Sequence, residues 1–199
     1  MEGEPSLDDW TDSPQHQDSS LVETTVDETT LYSGRILQLQ KRKVRLANGR
    51  EASREVVIHP GAVAIVAEPE TNYLILVRQF RNAPHELLWE LPAGKLDAGE
   101  EPSIAACREL REETGYTAKS IELWHSFYTS PGFANEKIWL YFSRDLVKSQ
   151  QQLDEDELLH MHFFSRDEVA EMLKTGALTD AKTLIGVYRW LMQGSSKKS

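Results

Sequence analysis

Three glutamates, Glu109, Glu112 and Glu113, fall within one short stretch of the chain, and their spacing suggests chemistry. On a helix, Glu109 and Glu113 are four apart and lie one above the other, with Glu112, three from Glu109, flanking them. Carboxylates packed this tightly repel one another. A divalent cation removes that cost. Mg²⁺ suits the task, because it favours oxygen ligands, keeps several waters and joins substrate phosphates. Arg108 lies four residues before Glu112 and is placed to hold that carboxylate. The same stretch, GKLDAGEEPSIAACRELREETGY, opens on Gly94 and carries Glu100 ahead of the helix. Helices rich in Glu and Arg are most often solvated faces laced with ion pairs. The glycines, the loop Glu100 and the order of the charges favour the metal site instead.

The helix that positions these groups has a start and a stop. Pro102 suits a first turn, where its missing N–H would be unpaired anyway. Gly115 suits the left-handed position just past a helix end. Between them, Ile104, Ala105, Cys107, Leu110 and Arg111 are expected to form one mostly apolar face opposite a charged one. Cys107 is expected inside, as a small buried hydrophobe. Upstream, residues 21–58 alternate apolar and polar residues, and Asn48-Gly49 signals a hairpin between a strand ending near Leu46 and one covering Arg54 to Ile58. Gly61–Ala67 and Tyr73–Phe80 read as core strands joined by a polar turn. After the helix come strands in IELWHSFYTS, KIWLYFSRDL and LLHMHFFS. Ser165 with Glu168 makes a capping box for a helix to about Lys174, and a last helix runs from near Thr179 or Asp180 to about Gln193.

The formal net charge of −10 is unevenly spread. Residues 1–34 hold nine acidic side chains and no Lys or Arg, which leaves 23 acidic against 22 basic residues in the rest. No basic stripe remains for a long nucleic acid. No apolar run is long enough for a transmembrane helix, and no secretory signal pattern is visible. With the single Cys107, these features favour a reducing cytoplasm. The reading is a disordered acidic leader over 1–20, a β-strand extension over 21–58 and one catalytic domain over 59–194.

The stretch from Gly94 to Tyr116 resembles the Nudix box, the signature of hydrolases that cut a diphosphate linked to a nucleoside. Every fixed polar and glycine position agrees; Tyr116 stands where an aliphatic residue is usual. The resemblance extends over roughly residues 22–193, where the chain looks like the bacterial ADP-ribose pyrophosphatases. REVVIHPGAVAIVA, VRQFRNAPHELLWELPAGKLDAGE, YTSPGFANEKIWLYF and LDEDELLHMHFFS carry it, with Pro131 lying 15 after Tyr116. It implies an α/β (α+β) Nudix fold, an α/β/α sandwich around a mixed sheet, and hydrolysis of ADP-ribose to AMP and ribose 5-phosphate.

The resemblance also implies a site. Mg²⁺, with Mn²⁺ as a substitute, is held by Glu109, Glu113 and the backbone of Ala93, with Glu112 in support. Gly94, Glu100 and Arg108 shape the box. A late-loop carboxylate acts on the attacking water, and Glu155 aligns best, with Glu157 the other candidate. Arg81 aligns with a phosphate-contacting arginine; Arg78, on the same strand, is explained equally well by solubility. Arg54 is a substrate contact from a partner subunit. Glu90, a polar residue in an apolar strand, is a sugar-hydroxyl acceptor or a satisfied core residue. Phe133 and Glu136 fall where the family contacts the terminal ribose, and Tyr32 is a candidate for stacking on adenine. The family's members are commonly homodimers that exchange N-terminal strands, which the extension fits. The competing readings are a Nudix hydrolase for GDP-mannose or NADH, and a non-catalytic domain that senses ADP-ribose.

Overall fold

The structure is a computed structural model that describes residues 19–153 and 157–193. The leader over 1–18, the loop residues 154–156 with Glu155, and the tail from Gly194 lie outside the described residues.

A 3-10 turn, Ser19–Leu21, precedes three antiparallel strands, β1 (Thr24–Ser33), β2 (Gln38–Arg45) and β3 (Glu51–Ile58), paired in that order. The hairpin at Asn48-Gly49 forms, but its second strand starts at Glu51 and not Arg54. The Leu46 N–H bonds the Arg50 carbonyl, Gly49 takes a left-handed φ of 82°, and the Asn48 side chain accepts the Arg50 N–H. With its turn satisfied locally, the ladder pairs right down to Arg45 and Glu51.

Among the described residues the body holds three further sheets. One runs β7 (Ala93–Lys95), β4 (Ala62–Ala67), β10 (Lys137–Ser143), β9 (Glu122–Tyr128), with β4 and β10 parallel and the other pairs antiparallel. Another is antiparallel, with β5 (Tyr73–Arg81) between β12 (Leu159–Ser165) and β6 (Glu86–Glu90). Strands β8 (Tyr116–Ala118) and β11 (Leu146–Lys148) form a small ladder.

Among the described residues, helices α1 (Pro102–Thr114), α2 (Arg166–Lys174) and α3 (Ala181–Gln193) cover the sheets. Alternation along β4 makes the sandwich. Val63, Ile65 and Ala67 pack with Ala105, Ala106 and Leu110 of α1. Ala64 and Val66 join Val169 of α2 and Val187 and Trp190 of α3 in the second cluster. Gly186 lets α3 approach closely: a Cβ there would stand 2.5 Å from Leu91 Cδ1 and 2.9 Å from Val66 Cγ2. The capping box at Ser165 and Glu168 is complete.

The expected faces of α1 need correction. Ile104 is 61% exposed and Arg111 is exposed, while Cys107 is only half-buried. The buried stripe is Ala105, Ala106, Glu109, Leu110, Glu113 and Thr114. Two carboxylates therefore lie on the inner face of the helix.

Candidate active site

Helix α1 starts and stops where its sequence dictates. Pro102 occupies the first turn, and Gly115 closes the helix at φ 69° with its N–H on the Arg111 carbonyl. This fixes the rotation of α1 so that Glu109 and Glu113 face β7 and the turn before it.

Glu113 is 1% exposed. Its Oε2 accepts the Ala93 N–H at 3.0 Å, and its Oε1 is buried with no hydrogen-bond partner. Burial pushes this carboxyl well above the usual range; the Ala93 N–H opposes the shift, and the charges of Glu109 and Glu157 add to it. Burial also pushes Glu109 up to about 7, against Arg108 and with help from Glu112 and Glu157. Gly94 is required by close approach: a Cβ there would lie 1.9 Å from the Glu109 carboxyl carbon.

Arg108 ties the acidic groups together. Its Nη1 donates to Glu109 at 2.8 Å and to Glu112 at 3.1 Å. Its Nε and Nη2 donate to the two oxygens of Glu100 at 3.0 and 2.8 Å, and Nη2 also reaches the Lys95 carbonyl. Glu100 in turn accepts the Asp97 N–H, which closes the loop before the helix. Among the described residues no three acidic, imidazole or thiol groups converge as a finished metal cage, since Glu109 and Glu112 are turned onto Arg108. The donors nonetheless suit a hard cation: all are oxygens, Glu113 Oε1 lacks a partner, and burial raises the pKa of both carboxyls, a cost to the charged form that a cation would offset.

Beside this group, Arg81 grips Glu90 with two bonds, Nε to Oε1 at 2.7 Å and Nη2 to Oε2 at 2.8 Å. Glu90 is 1% exposed. Burial works to raise its pKa, but Arg81 and Lys182 outweigh that and hold it below the usual range. Arg78 takes the other face of β5: it pairs in register with Trp89 and lies over that ring, 5.4 Å from the centroid.

The late acidic loop enters through Glu157, whose charge reaches both Glu109 and Glu113. Arg54 and Phe133 come together elsewhere, in a pocket of about 400 Å³ shared with Glu23, Tyr128, Pro131 and Asn135. Arg54 pairs with Glu23 of its own chain. The loop bearing Phe133 is stitched to β3, with the Val57 N–H on the Phe133 carbonyl at 2.7 Å and the His59 N–H on Asn135 Oδ1 at 2.7 Å. Glu136 accepts from Thr129 Oγ1 at 2.5 Å and lies 3.7 Å from His59. Tyr32 is exposed on β1, its ring folded over Gly34, and lines neither group.

The description NUDIX domain matches residues 57–186, more than half of the chain. The chain belongs to the Nudix family. It is 39% identical to the ADP-ribose pyrophosphatase of Bacillus subtilis (strain 168), over 84% of this chain and 92% of that protein. It is 41% identical to the methanol dehydrogenase activator of Bacillus methanolicus, over 88% of this chain and 96% of that protein. The ADP-ribose pyrophosphatase of Mycobacterium tuberculosis is 37% identical, over 82% and 80%. The crystal structure of an ADP compounds hydrolase shares the fold at a TM-score of 0.77 and 23% identity, covering 89% of this chain and 99% of that one.

For a Nudix chain, the departure at Tyr116 is mild in structural terms. Its ring packs against the α1-side core and meets Phe163 edge-on at 6.1 Å, so it fills the place of an aliphatic residue. Sequence reasoning missed Lys182 and Thr183. Lys182 donates to Glu90 Oε2 and to Asp180 Oδ2. Asp180 caps α3 through the N–H and hydroxyl of Thr183, and Thr183 Oγ1 accepts the Leu91 N–H at 2.9 Å. The only signal was Asp180 as a helix start; nothing local linked that turn to Glu90.

Proposed function

We propose that this chain is a metal-dependent hydrolase that splits the diphosphate of ADP-ribose into AMP and ribose 5-phosphate. Two relatives that match most of the chain carry the name ADP-ribose pyrophosphatase. The observation that carries the reaction type is the buried, unpartnered Glu113 Oε1 beside a Glu109 carboxyl pressed over Gly94. Glu109, Glu113 and the Ala93 carbonyl would hold Mg²⁺, or Mn²⁺ in its place. When bound, the metal supplies charge neutralisation for the diphosphate and a lowered pKa for water. Glu112 is kept in place by Arg108 and supports the ligands. Of the two late-loop candidates, Glu155 and Glu157, we assign the proton of the attacking water to Glu157, and the effect of its charge on both ligand carboxylates supports that choice. Arg81 meets a phosphate oxygen, and its Glu90 partner aims it.

The pocket of Arg54 and Phe133 receives the far end of the substrate, and Glu136 braces the loop that carries Phe133. Strand β1 is exposed along its whole length, Leu31 and Tyr32 included, and a second copy of the chain would cover it in a homodimer. Among the described residues no helix is long and apolar enough to cross a membrane; we place the enzyme in the cytoplasm.

The test is a panel of ADP-ribose, GDP-mannose, NADH and ATP with Mg²⁺, with products resolved by chromatography. ADP-ribose should give AMP and ribose 5-phosphate at the highest kcat/KM. A higher value for GDP-mannose or NADH overturns the substrate, and no turnover of any compound overturns the reaction.

A further inference from the structure

Helix α3 enters the site through a cation to which the reaction above gives no part. Four charged groups alternate there: Arg81, Glu90, Lys182 and Asp180. Glu90 is almost wholly buried, and a buried carboxylate needs its charge and lone pairs met. Arg81 meets it from β5 through Nε and Nη2. Its Nη1 makes no hydrogen bond among the described residues, and 41% of the Arg81 side chain is open to solvent. That open guanidinium lies within electrostatic reach of Glu113. Lys182 meets Glu90 from behind, its own side chain only 11% exposed, and is held by Asp180. The same turn of α3 also grips the backbone, since Thr183 bonds Leu91, two residues before the Ala93 N–H that holds Glu113.

The charges decide what Lys182 does. The four groups together are neutral. Without Lys182 the cluster carries one excess negative charge beside an anionic substrate, and Glu90 spends its whole charge on Arg81. With Lys182 present, Glu90 is shared, and Arg81 keeps its open edge and its field for the incoming anion. We propose that Lys182 is a positioning residue that keeps Arg81 aimed at, and electrically available to, a diphosphate. This rests on the hydrolase reading above, and the test separates the two.

Binding of inorganic pyrophosphate with Mg²⁺ is measured by calorimetry, beside ADP-ribose kinetics and thermal unfolding, on the full chain. Lys182→Met should weaken pyrophosphate binding and raise the ADP-ribose KM by about tenfold, the effect of one uncompensated charge at an intermediate effective dielectric, with kcat within about threefold. Lys182→Arg should stay near the parent, because it keeps the charge. The double variant Asp180→Asn/Lys182→Met restores neutrality, keeps a capping side chain on α3 and leaves the Glu90 grip on Arg81 in place, and should recover most of the lost affinity. Lys182→Gln makes the same charge change should Lys182→Met not fold. If Lys182→Met and Lys182→Gln only lower the melting temperature and bind pyrophosphate as the parent does, Lys182 is structural and the proposal fails. It fails equally if the double variant recovers nothing, or if the parent has no pyrophosphate affinity. If the parent leaves ADP-ribose uncut while pyrophosphate affinity still falls and recovers as stated, the substrate reading fails and this one stands.

Discussion

Glu109 and Glu113 belong to one helix face but are held differently. Glu109 has Arg108 as a counter-charge, whereas Glu113 has one backbone N–H and an oxygen with no partner. A buried acceptor left unmet costs free energy, so the fold keeps Glu113 at a loss that a bound cation would recover. Glu113→Gln should therefore nearly abolish turnover at saturating Mg²⁺ while the metal-free melting temperature holds or rises. Near-parental kcat would remove Glu113 from the metal site. The water-activating group is a separate question at the same scale. Glu157→Gln should lower kcat by about 10²-fold, as for the loss of a general base, with little change in KM, and Glu155→Gln should cost less. The opposite order of effects would move the role to Glu155, and two fully active variants would move it out of this loop.

Among the elements, α1 and the N-terminal strands have opposite surroundings. Helix α1 is packed on the main sheet through Ala105, Ala106 and Leu110. Strand β1 has no buried residue, yet pairs with β2 along its length. Strand β3 is tied to the body through Val57 and Phe133, so the extension also builds one wall of the Arg54 pocket. A chain starting near Ser20 should keep both its oligomeric state and its activity. One starting near Pro60 should be monomeric by light scattering and should lose affinity for ADP-ribose. A monomeric full-length protein would refute the homodimer, and loss of activity on removing the leader alone would show that the leader is needed.

At the scale of the whole molecule, the site sets how stability responds to pH. Glu109 and Glu113 have folded-state pKa values above the ordinary 4.5, Glu109 about 7. Raised carboxyl values mean that the stability they contribute is fully present below about pH 4.5 and is lost as pH rises through each group's folded value, about 7 for Glu109. Groups such as Glu90 and Glu100, held low by their cations, act in the other direction: their contribution is present above the ordinary value and lost as pH falls. Comparing the metal-free and Mg²⁺-loaded proteins at each pH cancels those groups. Mg²⁺ binds the ionised carboxylates. The gain in melting temperature with Mg²⁺ should therefore be small at pH 5 and grow steadily to pH 8. A gain that is constant, or largest at pH 5, would show that these two carboxylates do not take up the metal.

The bounds of α1, the capping box of α2 and the core strands were legible in the chain because each rests on a local requirement. Pro102 has no N–H to lose, Gly115 tolerates a left-handed φ, and Ser165 and Glu168 satisfy each other within one turn. The carboxylate triad was legible for the same reason, since helical spacing alone brings Glu109, Glu112 and Glu113 together. Which way α1 faces was not. Ile104 looks like core by residue type, yet it is exposed while Glu109 and Glu113 are inside. That rotation is set by contact with β4 and by the missing side chain at Gly94, and neither is local to the helix. The Arg81–Glu90–Lys182 chain lay further out of reach. In the register of β5 with β6, Arg81 stands opposite Glu86 and Glu90 opposite Val77, so Arg81 and Glu90 meet only through long side chains reaching along the sheet. Lys182 meets Glu90 across 92 residues of sequence, because Gly186 lets α3 approach Leu91 and Val66 closely. Short-range dihedral and hydrogen-bond demands are written in neighbouring residues; a buried charge network depends on where packed sheets and helices finally stop, and only the tertiary structure decides that.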